Sequence, residues 1–193
     1  MKRVVAIIIL SITFKWAFAQ DDKPNIYSGG MLILQPGITI TTNNHQDIRD
    51  TSFGLGGILR FYLFNHFTTG IYGGTQRTGY LSSNSDNSNI SLGYGGPFVG
   101  YSQKFGRFRL TASAFMGMGT IRNLHIESQN GNILTDAHLY RYSAIVISPI
   151  ISADYALTQR LLITVQGVYL NAHYDRGKRL QNPTLQVGIL FNR

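Results

Sequence analysis

The chain has 193 residues, 44% of them hydrophobic, with 21 glycines, 11 tyrosines, 11 phenylalanines, no cysteine and a formal net charge of +8. The lack of cysteine excludes disulfides and thiolate metal sites, and the length suits one domain. The basic residues are scattered along the chain, which argues against a nucleic-acid partner.

Lys2 and Arg3 precede an apolar run at residues 4–12, and Ala17-Phe18-Ala19 fits a small-x-small cleavage site. Lys15 is out of place for such a leader, but the run is shorter than the roughly 18 residues a spanning helix needs. Residues 1–19 therefore read as a signal peptide and 20–193 as the mature domain, with Gln20 first. Removing Lys2, Arg3 and Lys15 lowers the net charge to +5, since no acid precedes Asp21. No later stretch is long and apolar enough for a transmembrane helix.

After a short lead-in at residues 20–24, a first strand is expected over about 26–41. Met31, Ile33 and Gln35 alternate there with Leu32, Leu34 and Pro36, which leaves the faces undecided; Pro36-Gly37 marks a bulge or break. Residues 42–51 read as a polar outer loop. The second strand, about 52–64, is clearer. Phe53, Leu55, Gly57, Leu59, Phe61 and Leu63 share one face, and Gly54, Gly56, Ile58, Arg60 and Tyr62 the other. A tight turn at Asn65-His66 leads to a third strand, about 67–80, with Thr68, Gly70, Tyr72, Gly74 and Gln76 inward. Residues 81–89 read as a mobile polar loop.

The fourth and fifth strands meet at Gly106-Arg107. Along the fifth, Phe108, Leu110, Ala112, Ala114, Met116 and Met118 alternate with Arg109, Thr111, Ser113, Phe115, Gly117 and Gly119. That is period two, sustained over about the length of a tilted strand crossing a bilayer. Residues 122–139 form the longest connection, turning at Asn130-Gly131-Asn132. The sixth strand covers about 140–157, the seventh 161–174, after a tight turn at 158–160, and the eighth runs from 184 to the end. A basic loop at 175–182 separates the last two. Pro97 and Pro149 lie inside strands and predict local irregularities, because proline cannot donate to a ladder.

Eight runs, joined alternately by long polar loops and short turns, predict an all-β, eight-stranded antiparallel up-and-down transmembrane β-barrel, apolar outside and polar inside. Aromatics gather near the turns (Tyr62, Phe64, Phe67, Phe105, Phe108, Tyr155 and Phe191) and near the loops (Phe53, Tyr80, Tyr140, Tyr142 and Tyr174), as two interfacial belts would require. Gly96-Pro97-Phe98-Val99-Gly100-Tyr101 before Phe105-Gly106-Arg107-Phe108, then Pro149-Ile150-Ile151-Ser152-Ala153-Asp154-Tyr155, and finally Gln186-Val187-Gly188-Ile189-Leu190-Phe191 resemble the small OmpA/OmpX-like outer-membrane barrels, particularly the barrel-domain proteins of Bacteroidetes. The last segment is similar to the family's assembly signal, although Asn192-Arg193 follow the aromatic. The resemblance covers the mature chain and implies a Gram-negative outer-membrane address, contact with the barrel-assembly machinery, outer-membrane lipids and lipopolysaccharide as neighbours, and a monomer. It specifies architecture rather than activity.

Inward Arg60, Arg109, Asp154 and Gln166 are expected to form a structural polar network, with Asp154 paired to Arg60 or Arg109, because charges inside a barrel must be paired or hydrated. His45, His125, His138 and His173 fall on the loop side and His66 in a turn. Without close ligand spacing they read as solvated loop residues, so no metal site and no cofactor is expected. His173-Tyr174-Asp175-Arg176-Gly177 with Asn182-Pro183 loosely resembles the histidine-bearing end of lipid A deacylases. Those enzymes need a serine beside the histidine, and no serine follows Ser152. No catalytic residue is assigned. The expected function is non-enzymatic, interaction with an unidentified surface ligand or membrane integrity. A narrow pore or transport accessory is the alternative, and a lipid A-modifying enzyme or a soluble lipocalin-like barrel stands further back.

Overall fold

A computed structural model describes residues 27–43, 45–63, 66–82, 85–130 and 133–192. Residues 1–26, which hold the expected signal peptide and lead-in, lie outside them. The chain forms β1 (Tyr27–Leu34), β2 (Gly37–Thr42), β3 (Asp47–Leu63), β4 (Phe67–Ser82), β5 (Ser85–Phe105), β6 (Phe108–Asn130), β7 (Ile133–Ala156), β8 (Leu161–Tyr174), a single 3-10 turn at Asp175–Gly177, and β9 (Lys178–Asn192). Every pairing is antiparallel, and β9 pairs back onto β1 and β2, so the sheet closes. β1 and β2 share the same neighbours, β3 and β9, and are two halves of one stave split at Gln35-Pro36. The barrel therefore has eight staves.

Each internal proline interrupts pairing on one side only. Pro97 keeps its partner Ile71 on β4, but the β5–β6 register skips from Gly95 to Phe98. Pro149 pairs with Ala114 on β6, while the β7–β8 register skips from Ile147 to Ile150. A missing N–H removes one ladder bond and leaves the opposite edge intact. At the first break Gly96 and Gly117 approach so closely that a Cβ on Gly96 would lie 2.6 Å from the Gly117 Cα.

Alternation sets the two faces. On β6, residues 108, 110, 112, 114, 116 and 118 are exposed, while Arg109, Thr111 and Phe115 are buried. On β3, Leu59 and Phe61 point outward and Ile58, Arg60 and Tyr62 inward. The undecided first strand resolves with Met31, Ile33 and Gln35 inside and Leu32 and Leu34 outside. The interior is less polar than expected. Met31, Ile33, Ile58, Phe98, Phe115, Val146 and Leu170 join a buried apolar cluster that fills the lumen between the polar layers. An eight-stranded barrel is just narrow enough for side chains to fill it.

Three expectations change. The polar segments at the loop end are mostly strand. Asp47 pairs with Thr42, Ser88 with Tyr80, and Lys178 with Tyr174, so the expected loops at 42–51, 81–89 and 175–182 are much shorter. The connection at 122–139 is a paired ribbon from Arg122↔Arg141 to Asn130↔Ile133, with Gly131 and Asn132 outside the described residues. Third, Tyr62, Tyr80 and Tyr174 do not belong to the exterior belts. All three are buried, because parity along the strand, not nearness to a turn, decides the side. Phe67, Phe105, Phe108 and Phe191 do face outward near the turns, as does Phe53 near the loops. Phe64 lies outside the described residues.

Candidate functional site

Two polar constellations stand out, one in the lumen near the turns and one at the loop end. The first is built by register. Arg109 on β6 pairs with Asp154 on β7, which pairs in turn with Thr164 on β8. Asp154 is fully buried and Arg60 is 1% exposed. Arg60 Nη1 donates to Asp154 Oδ2 at 3.0 Å and to the Tyr62 hydroxyl oxygen at 3.1 Å. Tyr62 donates to the same carboxylate oxygen at 3.3 Å, and Thr164 Oγ1 donates to Oδ1 at 2.8 Å. The Arg109 guanidinium lies over the Tyr62 ring, 4.1 Å from its centroid. Of the two arginines named from sequence, Arg60 makes the ion pair and Arg109 takes the cation–π position.

Gln166 belongs to a separate neutral layer. It donates to Gln186 Oε1. Gln186 donates to the Tyr72 hydroxyl at 2.6 Å, and Tyr72 and Tyr94 share a hydroxyl bond at 2.7 Å. Tyr94 donates to Gln35 Oε1 at 2.8 Å, and Gln76 donates there at 3.0 Å. Phe115 packs edge-on against both Tyr72 and Tyr94. This layer crosses the lumen from Gln166 and Gln186 on β8 and β9 to Tyr72, Gln76 and Tyr94 on β4 and β5, with Gln35 between β1 and β2, and plugs it. The sequence signal for it was the inward parity of Tyr72, Gln76 and Gln166. Gln35, Tyr94 and Gln186 lacked a comparable marker.

At the loop end the structure brings together residues that the sequence left apart. His45 lies between β2 and β3, His125 and Glu127 on β6, and Asp136 and His138 on β7, with His125 opposite His138 in the ribbon. The His45 and His125 rings stack with centroids 3.9 Å apart, 11° from parallel. Glu127 Oε1 sits 3.8 Å from His45 Nδ1 and 3.5 Å from His138 Nε2; Asp136 Oδ1 is 3.7 Å from the same His138 nitrogen. The outer nitrogens are occupied: His45 Nε2 is 3.1 Å from the Tyr140 hydroxyl, and His125 Nδ1 is 3.2 Å from that of Tyr80. Two overlapping triads, His45–His125–Glu127 and Glu127–Asp136–His138, each hold their donor atoms within 4.8 Å of one another.

His125 is buried, at 6% exposure, and is not the solvated loop histidine expected. Its pKa is pushed below the ordinary histidine value, first by burial and then by the neighbouring His45. His173 lies on the outward parity of β8, beside Arg179 and Ile145, away from this cluster.

No family model matches the chain, and no curated protein matches it. Solved structures do. The attachment invasion locus protein Ail of Yersinia pestis, solved with the heparin analogue sucrose octasulfate, is similar over 86% of this chain and 99% of Ail, with a TM-score of 0.57 and 11% identity. Neisserial surface protein A is similar over 88% of this chain and 99% of its own, with a TM-score of 0.57 and 11% identity. The likeness at that identity is one of fold: the chain shares the architecture of small outer-membrane β-barrels.

Proposed function

We propose that this chain is a non-enzymatic, monomeric outer-membrane barrel that works by presenting its loop end to a surface ligand. In this reading residues 1–19 direct export, and the assembly machinery inserts residues 20–193. The single observation that carries it is a level apolar band around the outside. On β6 the band runs from Phe108 to Met118 and on β7 from Tyr155 to Ile145, and these ends are register partners. Leu185, Val187, Ile189 and Phe191 continue it on β9, and Leu55, Leu59 and Phe61 on β3, all exposed. So large an apolar surface marks contact with lipid or partner.

The band ends in a row of cations. Arg77, Ser91, Arg122 and Arg141 are successive register partners across β4, β5, β6 and β7. All three arginines are exposed. Strands about 4.8 Å apart put the outer two roughly 15 Å from each other. Guanidinium groups bind phosphate in bidentate fashion, which favours lipopolysaccharide phosphates as neighbours and supports an outward-facing loop end.

Beyond the band, β6 and β7 continue as a ribbon. Pairing of β8 with β7 reaches only to Ala144, so residues 133–143 of β7 have an open edge among the described residues. Ile133, Leu134 and Leu139 on this arm are 73%, 51% and 71% exposed. An open, partly apolar edge is a docking feature for an added strand. The packed glutamine–tyrosine layer argues against a solute path and for a surface role. The finer affiliation, with the Bacteroidetes barrel-domain proteins, rests on segments 96–101, 149–155 and 186–191.

Fractionation of a Gram-negative host with protease treatment of intact cells tests the proposal. Recovery with the outer membrane and cleavage confined to the ribbon are expected; a soluble periplasmic protein, or protection of the ribbon, would refute it. Planar-bilayer recording is expected to show no stable current, and a size-selective current would move the reading to transport. Lipid A mass spectra after overexpression are expected to be unchanged, and an altered lipid A would make the protein an enzyme.

A further inference from the structure

The histidine–carboxylate cluster at the loop end is assembled from two separate hairpins, and nothing in the surface-presentation reading requires it. We propose that it is a binding site for one divalent transition-metal ion of the zinc class, with His45, Glu127 and His138 as ligands and His125 completing the set. Two ligands about 2.0–2.1 Å from a tetrahedral ion stand roughly 3.3–3.4 Å from each other. Glu127 Oε1 lies 3.5 Å from His138 Nε2 and 3.8 Å from His45 Nδ1. Each of these two pairs is within a few tenths of an ångström of ligand spacing. His45–His125–Glu127 and Glu127–Asp136–His138 each gather their donor atoms within 4.8 Å, so Glu127 is the shared point on which the histidines converge.

A second observation points the same way. Metal-binding imidazoles are held by a hydrogen bond at the nitrogen that does not bind, and that bond fixes the tautomer. Tyr140 occupies this place at His45 Nε2, 3.1 Å away, which leaves Nδ1 on the Glu127 side. At His125 the assignment follows from a proton count. The Tyr80 hydroxyl gives its one proton to Asn123 Oδ1 at 2.8 Å. It therefore accepts from His125 Nδ1–H at 3.2 Å, and the His125 lone pair is on Nε2. Both outer partners are thus phenols, and Tyr80 is itself buried.

The donor chemistry selects the ion. Imidazole nitrogens with carboxylate oxygens suit zinc, nickel and copper, whereas calcium and magnesium take oxygen donors. The His45 and His125 rings are nearly parallel, and imidazoles bind metals in the ring plane. Coordination by both therefore fans the rings apart. Because His45 belongs to the β2–β3 hairpin and the other groups to the ribbon, the ion would tie the two hairpins together over the barrel mouth. Without a metal, the same contacts are partly exposed histidine–carboxylate pairs, which contribute little.

Titration calorimetry of the full chain in detergent, without a polyhistidine tag, tests this with ZnCl2. About one Zn2+ per chain is expected. His138→Ala and Glu127→Gln are each expected to weaken it at least about tenfold. His173→Ala should bind as the parent does, and MgCl2 and CaCl2 should give no saturable signal. Zinc that binds all four proteins alike, or none of them, overturns the proposal. Hydrogen exchange of the parent protein gives a reading free of substitutions. Zinc is expected to slow exchange in peptides covering both His45 and residues 124–140, and unchanged exchange in either hairpin contradicts the bridge.

Discussion

Replacing Arg60 by methionine removes a cation from the lumen while keeping most of its volume. Asp154 loses the 3.0 Å contact to the guanidinium but keeps hydroxyl donors from Tyr62 and from Thr164, the latter at 2.8 Å. Breaking a buried ion pair from one side costs about 3–5 kcal/mol. The two remaining hydroxyls, and Arg109 over the Tyr62 ring at 4.1 Å, place the expected loss at the lower end, about 3 kcal/mol. Asp154→Leu should cost a similar amount, because it strands Arg60 at 1% exposure. The double variant should be more stable than either single one, since no unpaired charge of that pair remains buried. Urea unfolding in micelles, read from the fast-migrating folded form on unheated gels, measures all three. At a slope of about 2 kcal/mol per molar urea, the single variants should lose roughly 1.5 M in midpoint. Single variants that unfold with the parent, or a double variant as weak as the summed losses, would mean that Arg60 and Asp154 are not a coupled buried pair.

Ala114 faces outward near the middle of the β6 band, so Ala114→Arg should cost about 2–4 kcal/mol in bilayers, and an unchanged unfolding midpoint in lipid vesicles would count against lipid contact there. A Cβ on Gly96 would stand 2.6 Å from the Gly117 Cα, whereas one on Gly93 meets nothing within 4 Å. Gly96→Ala should therefore destabilise by about 1–3 kcal/mol and Gly93→Ala by less than about 0.5 kcal/mol, as compared by the same urea titration. Exchanging Arg77, Arg122 and Arg141 together for glutamine should reduce co-purifying lipopolysaccharide without changing the folded-form gel shift; full retention of the lipid would remove the arginine row from the account.

Much of the barrel was legible because alternation is a local signal. The parity of residues 108–119 separated Leu110 and Met116 from Arg109 and Phe115, and the same rule placed Arg60 beside Ile58 inside β3. What escaped was pairing without an apolar pattern. Asp47, Ser85, Gln129 and Lys178 lie in strands because neighbouring backbone satisfies them, and polar side chains on both faces leave no periodic trace. Nearness to a turn suggested a membrane belt for Tyr62, but parity buried it. The loop-end cluster was invisible for a different reason: His45 and His125 meet only when the barrel closes. Half of it was accessible in principle, since a chain that folds back at residues 131–132 sets residue 125 opposite 138. The length of the ribbon had first to be known.

In the proposed reading the wall of this barrel meets lipid with one parity and its own interior with the other. The chain contains no cysteine, so single cysteines can be placed at every position from 110 to 118 of β6, spin-labelled, and reconstituted in bilayers. Collision with oxygen, the lipid-soluble relaxant, is expected at 110, 112, 114, 116 and 118, with protection from both oxygen and a water-soluble nickel chelate at 111 and 115. Collision with the nickel chelate at the even-numbered positions, or no alternation along the strand, would contradict it.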